Sequence, residues 1–228
     1  MPEPSNMTPA DNGKYIAIGD VHGCARSLEA LLKKIAGLSD RTHVFIGDYI
    51  DRGPDSKGVV TRILEYSKSH HCIFLQGNHE KMLMDAINSG DMHHWLINGG
   101  YQTLESYGVS SAYDIPREHL HFFSGTQLWF NTPEYLFIHA GLNPDLSIEE
   151  QLSKPDIDFS ALWERSHVYS PVAWEKTVVF GHTPVAQPII EEKKIAIDTG
   201  CVFYDKGYGT LSALLLPEKK IISQDYTG

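Results

Sequence analysis

The sequence predicts an α/β fold built on a mainly parallel sheet. Three observations carry that expectation. Short β-branched or apolar runs alternate with helix-spaced apolar residues through the first third of the chain, each run ends on glycine and a polar residue, and no tract breaks the pattern into separate units. Strand–loop–helix units in series imply parallel pairing, and right-handed crossovers bring their loops to one edge of the sheet. At 228 residues the chain is long enough for one sizeable core.

The elements follow in order. Tyr15–Ile18 is the first strand run and ends at Gly19-Asp20, after which Leu28, Leu31, Leu32 and Ile35 recur at helical spacing until Gly37. Val44–Ile46 ends at Gly47-Asp48, and Val59, Ile63 and Tyr66 follow at helical spacing. Ile73–Leu75 ends at Gly77-Asn78. From Lys81 to about Gly125 the pattern is helical and rich in aromatic residues and histidine. Strands are expected at 128–130, 135–138, 177–180, 195–197, 211–216 and 221–223, with one helical stretch over about 148–163. Residues 1–13, with three prolines and no basic or long apolar run, read as a flexible lead-in, leaving 14–228 as a single domain.

Composition narrows the function. Apolar residues make up 42% and charged residues 21%, ordinary for a soluble globular chain. A formal net charge of −10 argues against nucleic acid and against anionic membranes as partners. Three widely spaced cysteines form no disulfide or zinc framework, which fits reduced thiols in the cytosol. Twelve histidines in an acidic chain point to bound cations, which can be the largest charges in a site.

Five segments share one format, an apolar run followed at once by ligand-type residues. They are Gly19-Asp20-Val21-His22-Gly23, Gly47-Asp48-Tyr49-Ile50-Asp51-Arg52-Gly53, Gly77-Asn78-His79-Glu80, His139-Ala140-Gly141 and Gly181-His182-Thr183. Glycine next to the polar residue permits a sharp turn and a close backbone approach. Carboxylate, amide oxygen and imidazole together suit Mn²⁺, Fe or Zn²⁺. Singly, each segment reads as well as a turn, a helix cap or a core histidine.

In this order the five segments resemble the calcineurin-like metallophosphoesterase superfamily and, within it, the phosphoprotein phosphatases of bacterial and phage type. The resemblance spans nearly all of 15–216. It implies a four-layer sandwich, two mixed β-sheets packed face to face with helices outside. It also implies two divalent metal ions, Mn²⁺ first, with Fe or Zn²⁺ also fitting. Asp20 and His22 would bind the first, Asp48 would bridge both, and Asn78, His139 and His182 would complete the second. A hydroxide shared by the ions would attack phosphorus directly. His79 would protonate the leaving group, Asp51 would hold its imidazole, and Arg52 and Arg165 would clamp the phosphate.

Three functions are consistent with this set. A serine/threonine protein phosphatase comes first, because the segment 47–53 with its Asp51 and the segment 77–80 both look like that branch; its partner would be a phosphorylated protein or peptide. A symmetrical bis(5'-nucleosyl)-tetraphosphate hydrolase is the alternative, suggested by Gly19–Cys24 and by Asp198-Thr199-Gly200-Cys201; its partner would be a dinucleoside polyphosphate. A catalytically silent phosphoprotein-binding module is the third, disfavoured because no ligand position is missing. His70-His71 and His93-His94 are adjacent pairs, which point to different sides of an element, and read as surface residues. Asn98-Gly99-Gly100 resembles a bacterial family segment and is equally explained by a helix end.

Overall fold

The structure is a computed structural model that describes residues 12–228, so the lead-in expected over 1–13 lies outside them except for Asn12 and Gly13. Two five-stranded mixed sheets form its centre. The first contains β1 (Tyr15–Ile18), β2 (Thr42–Phe45), β3 (Cys72–Phe74), β9 (Thr210–Leu216) and β10 (Lys220–Asp225), in the order β10-β9-β1-β2-β3. The second contains β4 (Trp129–Asn131), β5 (Tyr135–Ile138), β6 (Thr177–Phe180), β7 (Ile189–Ile190) and β8 (Lys194–Ala196), in the order β4-β5-β6-β8-β7. β1, β2 and β3 pair in parallel, as do β5, β6 and β8; the flanking strands are antiparallel.

Strand periodicity explains the layering. Successive side chains on a strand face opposite ways. Tyr15 and Ala17 of β1 therefore join Val44, Phe137, Val179 and Ile195 in a core between the sheets. Ile16 and Ile18 instead pack outward against α1 (Ala25–Ile35) and α2 (Ser56–Ser67). Leu136 and Ile138 of β5 face a third core under α7 (Ile148–Leu152) and α8 (Ile157–Trp163). Helix, sheet, sheet and helix are thus stacked in four layers, as the resemblance implies.

Two details differ from the sequence reading. The helical stretch over 148–163 is two helices, because Pro155 falls between α7 and α8 and cannot supply the N–H a continuous helix needs. The two-residue strand β7 is too short to show alternation and was not expected. Between α3 (Asn78–Ser89) and α6 (Arg117–Ser124) the chain runs through α4 (His93–Trp95), a kinked turn (Leu96–Gly100) in which Gly99 has φ 114°, and α5 (Tyr101–Tyr107). Among the described residues no helix is long and apolar enough to cross a membrane.

Candidate active site

Every segment singled out in the sequence follows a strand of the parallel cores. Asp20 and His22 follow β1, Asp48, Asp51 and Arg52 follow β2, and Asn78 and His79 follow β3 and open α3. His139 follows β5 and His182 follows β6. The carboxyl ends of parallel strands are where ligand sites form in such sheets. Here two sheets bring their strand ends to one place.

The backbone is bent hard to do this. His22, Asp48, Asp51, Arg52 and His182 all have φ between 43° and 70°, and Lys219 is the only other non-glycine residue in that region among those described. Such conformations cost energy for side-chain-bearing residues and persist where the surroundings enforce them. Gly77 shows how tight the packing is: a Cβ there would lie 2.1 Å from Asp48 Oδ1.

Hydrogen bonds fix each group. The Glu80 carboxylate accepts from the backbone N–H of Gly77, Asp48 and Tyr49, each at 2.9 Å, tying the β2 loop to the start of α3. Burial and the nearby Asp48 charge push Glu80 up to about 8. Asp48 Oδ1 accepts from the His79 N–H at 3.1 Å, where the helix N-terminus favours negative charge. Burial alone would raise Asp48; the imidazoles of His139, His79 and His22 outweigh it and hold the carboxyl well below its ordinary value. Asp20 Oδ2 accepts from the His182 N–H at 3.0 Å, while Oδ1 is buried without a partner. Burial, then Asp198 and Asp48, push Asp20 well above the usual carboxylate range.

The histidines are set by their far nitrogens. His22 Nδ1 lies 2.9 Å from the Ile50 carbonyl and His139 Nδ1 lies 3.0 Å from the Ile46 carbonyl. An Nδ1–H donated to a carbonyl leaves Nε2 with its lone pair facing the site. His139 Nε2 and His182 Nδ1 both approach Asn78 Oδ1, at 3.1 and 3.0 Å. Burial is the chief cause that lowers all three imidazoles, His182 to about 2. Ligand-type atoms of His22, Asp48 and His79, and of Asp48, His139 and His182, lie within 4.8 Å of one another. The geometric trio thus contains His79 where the sequence reading has Asp20.

His79 is held from behind. Its Nδ1 is 2.7 Å from Asp51 Oδ2, and its Nε2, without a partner, lies 4.0 Å from Asp48 Oδ2. Asp51 also accepts from Trp95 Nε1 at 3.0 Å and from Thr103 Oγ1 at 2.6 Å. Trp95 and Thr103 were not legible as site residues. Trp95 is a core residue, but its indole N–H turns to the Asp51 carboxylate. The arginines reach the two ends of the histidine row: Arg52 Nη1 is 2.7 Å from His22 Nε2, and Arg165 Nε donates to His182 Nε2 at 3.0 Å. The adjacent histidine pairs stand away from this set; His93 and His94 are exposed and His70 stacks on Tyr66.

The residues present fit divalent cations. Mixed carboxylate, amide and imidazole donors converge, a buried carboxylate oxygen points inward unpaired, and three acidic groups (Asp20, Asp48 and Asp198) are buried together. No thiol joins them: Cys24 Sγ donates to the His22 carbonyl at 3.6 Å.

Comparison with known proteins agrees with this chemistry. Bis(5'-nucleosyl)-tetraphosphatase PrpE [asymmetrical] of Oceanobacillus iheyensis is 30% identical to the chain over 92% of its length and 91% of the relative's. The protein of the same description from Anoxybacillus flavithermus is 28% identical over 92% of this chain and 93% of its own. A solved structure provisionally identified as a diadenosine tetraphosphatase superposes with a TM-score of 0.69 at 27% identity, covering 96% of this chain and 97% of that one. The profile of the calcineurin-like phosphoesterases matches residues 13–208. With that match, and with the strand-end site it accompanies, the chain belongs to the calcineurin-like phosphoesterase family.

Proposed function

We propose that this metallophosphoesterase hydrolyses bis(5'-nucleosyl) tetraphosphates. The observation that carries the reading is the likeness, along nearly the whole chain, to proteins named for that activity. Their names specify the asymmetrical reaction, whereas the sequence reading had the symmetrical one as its alternative.

Asp20, His22, Asp48, Asn78, His139 and His182 would hold two divalent cations, Mn²⁺ first among them. When bound, such ions supply Lewis acidity toward phosphoryl oxygens and toward an attacking water. The chain's own groups do the rest. Arg52 and Arg165 would grip the phosphate from two sides, since each guanidinium reaches one end of the histidine row. His79 Nε2 would give its proton to the leaving oxygen, and Asp51 would keep the ring in position from Nδ1. Trp95 and Thr103 would hold Asp51 in turn. A cytosolic setting goes with this reading, as Cys24, Cys72 and Cys201 are all free thiols.

A serine/threonine protein phosphatase is the second reading. The assembled His79–Asp51 pair favours it, because a serine alkoxide needs an acid more than a departing phosphate does. One experiment separates the two. With Mn²⁺ added, diadenosine tetraphosphate and a phosphoserine peptide are given to the same enzyme batch and the nucleotide products are resolved by ion exchange. Rapid formation of AMP and ATP with slow peptide turnover is the expected result. Two ADP would mean symmetrical cleavage, and rapid peptide turnover with intact dinucleotide would overturn the proposal.

A further inference from the structure

We infer that the groove beside Arg52, between the kinked 96–100 turn and the 201–206 turn, is the subsite for one nucleoside of the substrate, with Tyr101 as the stacking surface for its base. The inference rests on the dinucleotide reading above and deepens it.

The groove has a volume of about 510 Å³, within the range of small-molecule pockets, roughly 300–1,000 Å³. Arg52 lines the groove, so the groove adjoins the guanidinium assigned above to the phosphate. One wall is Ile97 and Tyr101, which are 62% and 63% exposed. Large apolar side chains left in solvent beside a polyanion site suit a ligand with a flat apolar face. Phe203 also lines the groove, with the Arg52 guanidinium 5.5 Å and the Lys206 ammonium 5.2 Å from its ring centre. Those cations suit the phosphates next to the nucleoside. Asn98 and Gln102 offer amide donors and acceptors for a base edge, and the exposed Asp205 carboxylate offers an acceptor for ribose hydroxyls.

The backbone fixes the groove to the catalytic loop. Gly99 has φ +114°, and a Cβ there would lie 2.6 Å from the Arg52 nitrogen. The Arg52 N–H donates to the Gly99 carbonyl at 3.3 Å. A hollow of about 330 Å³ adjoins on the far side of Val202 and Asp205. Its Tyr204 is already stacked on Tyr226 with ring centres 4.0 Å apart, which leaves Tyr101 as the open face.

The test compares diadenosine tetraphosphate with p-nitrophenyl phosphate, which carries no nucleoside, on the Mn²⁺-loaded enzyme. Base–aromatic stacking predicts that Tyr101→Ala lowers the ratio of kcat/KM for the dinucleotide to that for p-nitrophenyl phosphate about tenfold, mainly through KM. Tyr101→Phe keeps the stacking face and should stay within about twofold of the native ratio. A Tyr101→Ala ratio equal to that of the native enzyme would overturn the subsite while the dinucleotide activity stands. A native enzyme that turns over p-nitrophenyl phosphate and leaves the dinucleotide intact would overturn both readings.

Discussion

The buried floor of the site and its open rim are built by opposite means. On the floor, Asp20, Asp48, Asp51, His79 and His139 are almost wholly buried, and each is held by backbone amides, carbonyls or neighbouring side chains. On the rim, Ile97, Tyr101 and Tyr204 stand largely in solvent. Polar groups that lose water must be paired or they cost stability, so the floor groups are hydrogen-bonded apart from Asp20 Oδ1 and His79 Nε2. The rim carries no such constraint, and its side chains can serve a ligand. On the proposed function the floor would set the chemistry and the rim would select what reaches it.

Substitutions test that division, from the largest effect down. Asp48→Asn removes the carboxylate that lies near His22, His79 and His139, and should reduce phosphoesterase turnover to background in a steady-state assay. His79→Asn should slow phosphoserine hydrolysis by about 10²-fold or more and dinucleotide cleavage by less, because a departing phosphate needs less help from an acid. An equal loss on both substrates would remove His79 from the acid role. Trp95→Phe keeps the aromatic volume but deletes the N–H to Asp51, and should lower kcat about tenfold with little change in KM. Gly99→Ala strains the joint between floor and rim, and should cost about 1–3 kcal/mol in denaturant unfolding.

The smallest effect lies away from the site. Burial lowers the His43 imidazole, inside the first sheet, to about 4. A histidine whose folded value is depressed contributes stability in full above its unfolded value of about 6.5. That contribution is lost as pH falls toward the folded value, because the unfolded chain then binds the extra proton. Thermal melts between pH 7 and pH 4.5 should therefore show declining stability. His43→Phe should flatten that decline by about 1–2 kcal/mol.

The floor was legible because its demands are written locally. A strand that ends on glycine and a ligand residue, repeated four times, with His139 directly after a fifth strand, leaves a pattern at short spacing, whereas the paired sheets were expected from the resemblance more than from the strand runs. Asp51 was legible because it sits in the β2 loop. Its partners Trp95 and Thr103 come from another part of the chain, 44 and 52 residues away, and no local pattern marks an indole or hydroxyl turned to a buried carboxylate. The rim was less legible still. Asn98-Gly99-Gly100 read equally as a helix end, and only the approach of Gly99 to Arg52 identifies it as part of the site's wall. Substrate choice was the least legible, since Asp51 favours a protein phosphatase and the near relatives are named for nucleotide cleavage.

The most direct test of the account is the metal content of the purified chain after Mn²⁺ loading and gel filtration, measured for the native protein and Asp48→Asn by elemental analysis. The account predicts two ions per native chain and fewer than two in the variant, with the melting temperature raised by Mn²⁺ only in the native protein. Retention of two ions by Asp48→Asn, or a native chain that binds none, would contradict it.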